Sequence, residues 1–174
     1  GPPKNASGGR QVTRCASRLG AALVVVAAFF GVASAAAEPD ELAAGVSLER
    51  ANARARNISR LSYELALSIP DTLAQPVTGT NVLRFDLADP TRPLVIDFDA
   101  DGAAEATITA NGVRVPTRAV NGHLVIPVAP LRPGENTVRI DFRAGNAPLN
   151  RSADFLYTWF VPAQARRALP CFDQ

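Results

Sequence analysis

Residues Glu105 to Val128 read "EATITANGVRVPTRAVNGHLVIPV". Two Asn-Gly pairs, Asn111-Gly112 and Asn121-Gly122, each stand between short apolar runs. Asn-Gly supplies the two positive-φ residues of a type I′ turn, whose twist matches that of paired strands. The stretch therefore reads as two successive β-hairpins. The same pattern continues outward on both sides. "SYELALSI" alternates, with Tyr63, Leu65, Leu67 and Ile69 on one face, and Pro70-Asp71 ends it. "TGTNVLRFDL" sets Leu83, Phe85 and Leu87 against Val82, the stem of Arg84, and Asp86. "LVIDF" from Leu94 is a third candidate strand. In "LRPGENTVRIDFRAG", Pro133-Gly134 turns the chain into a strand from Thr137 to Phe142. "DFLYTWFV" is the last apolar run. Turn signals about every 8–12 residues, with no convincing helix between them, predict an antiparallel all-β sandwich or saddle of about seven or eight strands.

The N-terminal part differs. Lys4 to Arg18 carries four positive charges and no acid, and Leu19 to Val32 is free of charge. "ASAAA" follows at Ala33 to Ala37. A basic head, a short apolar run and an A-x-A site form a secretory signal. A membrane span needs about 20 apolar residues, so the run is short for one. Cleavage is expected after Ala35 or Ala37, giving a secreted or periplasmic product, with membrane attachment only if the signal is kept as an anchor. Beyond Ala37, 14 Lys and Arg face 16 acids. The charge there is near −2, so the basic pI belongs to the signal and implies no nucleic-acid partner. The division expected is 1–37 signal and upstream residues, 38–57 a lead-in arm, and 58–174 the β domain. The arm "LERANARARNISR" places Arg50, Arg54 and Arg56 at or near helical spacing. It lacks large apolar residues between Leu48 and Ile58, which predicts a solvated arm.

Chemistry-bearing patterns are few. Asp97, Asp99, Asp101 and Gly102 match the opening of a calcium loop, where carboxylates at positions 1, 3 and 5 converge. Position 12, a bidentate Glu in such loops, is Ile108, so an acidic turn between strands is expected. His123 is the only His and follows a hairpin turn, where a surface or half-buried strand position is expected. Cys171 is the only Cys beyond the signal, which excludes an internal disulfide there. Asn5, Asn57 and Asn150 begin N-x-S sequons. No H-E-x-x-H, C-x-x-C, Gly-rich phosphate loop or G-x-S-x-G occurs. The residues present imply no catalytic apparatus and no metal site within this chain.

The closing stretch "FVPAQARRALPCFDQ", Phe160 to Gln174, resembles the segment F-x-P-x-x-A-R-x-x-F-P-C-F-D-x-P of the aminopeptidase N family, the gluzincin zinc aminopeptidases. The matching residues are Phe160, Pro162, Ala165, Arg166, Pro170, Cys171, Phe172 and Asp173, with Leu169 in place of the usual Phe. The resemblance extends upstream to about Ile58. It implies an N-terminal β domain, incomplete at its C-terminal end, that packs on the catalytic domain of the same polypeptide and forms one wall of a peptide-substrate cleft. It also implies zinc and catalytic residues outside this chain, and none within it. Where the family often has Gln and Glu in the last strand, this sequence has Trp159 and Val161. Trp159 is the candidate substrate-binding residue, as an apolar wall of the first pocket, with core or interdomain packing as its structural alternative. Arg166, Arg167 and Asp173 are expected to pin the exit of that strand against the catalytic domain. A non-catalytic secreted β-sandwich that binds a partner is the alternative to a peptidase fragment, and leukotriene hydrolases share the same scaffold.

Overall fold

The computed structural model describes residues 42–161 and 163–173. The signal-like run lies outside the described residues, among which no helix is long and apolar enough to cross a membrane. The chain is mostly antiparallel β structure in two sheets. One helix, α1 (Leu48–Asn57), leads into β1 (Ile58–Ser68), β2 (Thr78–Leu87) and β3 (Leu94–Asp97). A 3₁₀ turn at Ala103–Glu105 precedes β4 (Thr107–Ala110), β5 (Val113–Val115), β6 (Ala119–Val120), β7 (His123–Ile126) and β8 (Gly134–Arg143). A short helix, α2 (Ala165–Ala168), lies near the C-terminal end.

The five-stranded sheet runs β1-β2-β8-β4-β5 and the three-stranded sheet β3-β7-β6. Both Asn-Gly hairpins form as read. Asn111 and Gly112 have φ of 49° and 81°, and Asn121 and Gly122 have 50° and 80°. Alternation sorts β2 and β8 into faces. Leu83, Phe85 and Leu87 of β2, and Val138, Ile140 and Phe142 of β8, enter the core, while Arg84, Arg139 and Asp141 lie outside it. The small sheet contributes Ile96, Leu124 and Ile126 to the same cluster. Each such side chain contributes about 1.5–3 kcal/mol on full burial. Phe98 meets Phe142 edge-to-face at 5.5 Å between ring centroids. Gly79 stands where Phe142 passes over β2. A Cβ there would lie 2.6 Å from Phe142 Cζ, so the ring occupies the space of the missing side chain.

Two expectations fail. The arm is docked, not solvated: α1 is capped by Ser47, whose Oγ accepts from Arg50 N at 3.1 Å, and Arg50 and Arg54 are buried. The arm lacks apolar residues because it docks through guanidinium groups. The last apolar run joins no sheet. An isolated bridge between Arg151 and Leu156 is its β pairing among the described residues. Alternation sets which way side chains face but supplies no partner strand.

β1 is the exposed edge. From Ser59 to Ser68 every residue is exposed. The register with β2 shifts between Ser59 and Ser62. Arg60 sits there at φ 51°, its Nη2 donating to Asp86 Oδ1 at 2.6 Å.

Candidate functional site

The outer face of the small sheet carries a buried polar cluster. Register pairs Asp97 of β3 with His123 of β7, so both side chains rise on one face. Asp97 is 0% and His123 1% exposed. This overturns the surface or half-buried position expected for His123 and the acidic-turn reading of Asp97. Arg54 reaches over from α1 and donates Nη1 to Asp97 Oδ2 at 2.6 Å and Nη2 to Oδ1 at 2.7 Å. Its Nη2 also donates to the Val95 carbonyl at 3.0 Å. Asp97 Oδ1 accepts from His123 Nδ1 at 2.8 Å. His123 Nε2 lies 3.0 Å from Arg50 Nη1 and 2.9 Å from the Ala43 carbonyl. The arm is thus fastened at Ala43, Arg50 and Arg54, and Asn121 adds a bond from Nδ2 to the Leu42 carbonyl at 2.8 Å.

The C-terminal motif closes on the same carboxylate. Asp173 N donates to Asp97 Oδ2 at 3.0 Å. The backbones of Asp97 and Cys171 exchange both hydrogen bonds, at 2.9 and 3.0 Å. Asn81 Nδ2 holds the Pro170 carbonyl at 2.7 Å, and Phe172 N donates to Tyr63 Oη at 3.0 Å. Arg54 stacks over the Phe172 ring at 5.3 Å, and Phe172 meets Phe85 edge-to-face at 6.3 Å. Arg166 pairs with Asp173 at 3.8 Å, and Arg167 Nη1 reaches Gln164 Oε1 at 3.3 Å. These charged pairs bond within the motif, while its attachment to the domain comes from the Asp97, Asn81 and Tyr63 contacts.

Burial pushes the Asp97 carboxyl upward. The hydrogen bonds from His123 and Arg54, the Arg54 charge and the Asp173 N–H outweigh it and hold Asp97 below the usual carboxylate range. Burial, then the Asp173 and Asp97 carboxylates, push the Cys171 thiol up to about 12, which leaves it inert at neutral pH. Asp97 serves Arg54, so Asp97, Asp99 and Asp101 do not form a calcium loop. Among the described residues no group of three His, Cys, Asp or Glu could hold a metal ion. The cluster's chemistry is that of a lock.

A second feature is apolar. Phe155, Tyr157, Trp159 and Val161 are 64%, 53%, 60% and 64% exposed, while Leu156 and Phe160 pack against the core. Trp159 therefore stands in an exposed alternating row outside the core. β1 adds Leu61, Tyr63, Leu65 and Leu67, and Ile69 follows just beyond it, each 37–50% exposed. Arg151 ties the two segments, donating to the carbonyls of Pro70, Thr72 and Gln75. Exposed apolar rows of this kind mark surfaces that meet another body.

Sequence reasoning missed the Arg54–Asp97–His123 cluster. Its available signal was a lone Asp in the apolar run "LVIDF" and a lone His in "HLVI", facing an Arg pair at i, i+4.

No family model matches the chain, and no curated protein matches it. Among solved structures, it is similar to an M1 zinc metallopeptidase from Deinococcus radiodurans bound to a Tyr-Ser-Ala substrate, at 20% identity and a TM-score of 0.48, over 68% of this chain and 30% of that one. It is also similar to native leukotriene A4 hydrolase from Saccharomyces cerevisiae, at 13% identity and a TM-score of 0.49, over 68% of this chain and 22% of that one. The chain thus spans less than a third of the length of either protein.

Proposed function

We propose that this chain is the N-terminal β domain of a secreted or periplasmic zinc-dependent metallo-aminopeptidase, which removes N-terminal residues from peptides. The observation that carries the reading is the motif from Phe160 to Asp173. Its matched residues Pro170, Cys171, Phe172 and Asp173 form the lock on Asp97, Asn81 and Tyr63. The described residues do not fit zinc. His123 is engaged by Asp97, and Cys171 keeps its proton at neutral pH. In this reading zinc belongs to other residues of the same polypeptide, and no step of its chemistry falls to this domain.

The domain's part is to present an apolar wall. The row Phe155, Tyr157, Trp159 and Val161 meets the catalytic domain and the peptide, with Trp159 as the side chain nearest substrate. The secretory assignment rests on the basic head, apolar run and A-x-A site. Reading the coding frame past Gln174 tests the proposal. An open frame holding H-E-x-x-H and a later Glu, with chelator-sensitive hydrolysis of aminoacyl anilides by the whole product, is the expected result. A stop codon soon after Gln174 would sink it, leaving a secreted β-sandwich that binds a partner through the same apolar rows.

A further inference from the structure

A pocket of about 380 Å³ opens between α1, the β2–β3 connection and the outer edge of β3. Most of its lining is apolar, from Ala53, Ile58, Ala88, Pro93 and Leu94. Arg56 and Arg92 also line it, and Asp89 is the one carboxylate among the lining residues. Asp89 is occupied locally. Its Oδ1 accepts from Thr91 N at 2.9 Å, and its N–H donates to Asn57 Oδ1 at 2.6 Å. Arg54, which also lines the pocket, is neutralised by Asp97. Arg56 makes no hydrogen bond or ion pair with any described residue.

The β3 edge adds a neutral donor. Asp97 turns its N–H and carbonyl outward to Cys171. Val95 stands two residues earlier and turns its carbonyl outward to Arg54. Strand alternation points the Val95 N–H the same way, and Val95 lines the pocket. An apolar chamber with the Arg56 guanidinium and one edge N–H suits a group that is mostly hydrocarbon and ends in a planar anion. A dianionic phosphate would bring a second charge toward Asp89, whereas a carboxylate brings one.

We propose that this pocket binds a small organic carboxylate. Its charged end lies between Arg56 and the Val95 N–H, and its apolar body against Ile58 and Pro93. Two sources share that chemistry, a free short-chain fatty acid and the C-terminus of an apolar peptide. The site is separate from the apolar rows assigned to the aminopeptidase reading and stands whether or not that reading holds.

Isothermal titration of the 174-residue chain with octanoate, octanol and octylammonium tests it. Saturable one-to-one binding of octanoate is expected, with octanol weaker by at least about tenfold, as loss of a charge-assisted hydrogen bond implies. Octylammonium should not bind. Arg56→Ala should weaken octanoate by about tenfold, Ala53→Leu should narrow the pocket and lower affinity, and Arg118→Ala, outside the pocket, should change nothing. Circular dichroism melts confirm that each variant is folded. N-acetyl-Leu-Leu and its amide separate the sources. Tighter binding of the dipeptide acid than of octanoate assigns a peptide terminus, and the reverse order assigns a fatty acid. Equal affinity for octanoate and octanol, an Arg56→Ala variant that binds like the parent, or no heat at millimolar octanoate would overturn the proposal.

Discussion

Asp97 receives two guanidinium bonds, a His123 bond and a backbone N–H while fully buried. A buried charge deprived of its partner is costly, so the network stands or falls together. Asp97→Asn should cost about 3–5 kcal/mol, read as a lower midpoint in urea unfolding followed by circular dichroism. The acid limb gives a second test. Because the folded Asp97 carboxyl is held low, its contribution is full above the unfolded value of about 3.9 and fades as pH falls through the depressed folded value. The melting temperature of the parent should therefore drop across that window more steeply than that of Asp97→Asn. Equal slopes would mean that Asp97 does not govern acid stability. The cluster was hidden from sequence reading for a physical reason. Period-two alternation shows that Asp97 and His123 share a face of their strands, but nothing local announces that an arginine more than forty residues away will neutralise them. An isolated Asp beside a second and third Asp imitates a cation loop, and burial decides otherwise.

At the scale of elements, turn chemistry was fully legible and strand pairing was not. Asn111-Gly112 and Asn121-Gly122 form their hairpins because few other residues adopt positive φ cheaply. The two glycines nonetheless differ in surroundings. A Cβ on Gly112 would meet nothing within 4 Å, whereas one on Gly122 would lie 3.1 Å from Asp99 Cβ. Gly112→Ala should cost about 1–2 kcal/mol from backbone strain alone, and Gly122→Ala more, seen as a larger fall in melting temperature. Equal falls would show that Asp99 yields without cost. The run from Phe155 to Val161 was legible as the last apolar run and was counted among the strands. It forms no ladder with the sheets because an alternating pattern states a face and leaves the neighbour unspecified. The arm erred the other way: a helix poor in apolar residues reads as solvated, yet α1 docks through Arg50 and Arg54 and covers the outer edge of β3.

For the whole molecule, the dominant fact is an uneven surface. β1 is a long, exposed edge strand with an exposed apolar row from Leu61 to Leu67, and Phe155 to Val161 adds a second exposed row. Exposed edges with apolar side chains pair with other chains unless something blocks them. The isolated chain should therefore self-associate. Leu65→Lys should raise the monomer fraction in size-exclusion chromatography while moving stability by no more than about 0.5 kcal/mol. A monomeric parent, or a variant that aggregates equally, would show that β1 is not the sticky edge.

The lock on Asp97 also fixes an order of events during synthesis. Its partners come from Arg54 near one end of the chain and Asp173 near the other. A ribosome delivers Arg54 and β3 well before Asp173, so the carboxylate takes its guanidinium bonds first and the Asp173 N–H only when the C-terminal motif emerges. The three strands of the small sheet are complete by Ile126, so the C-terminal motif is the last piece to close the lock.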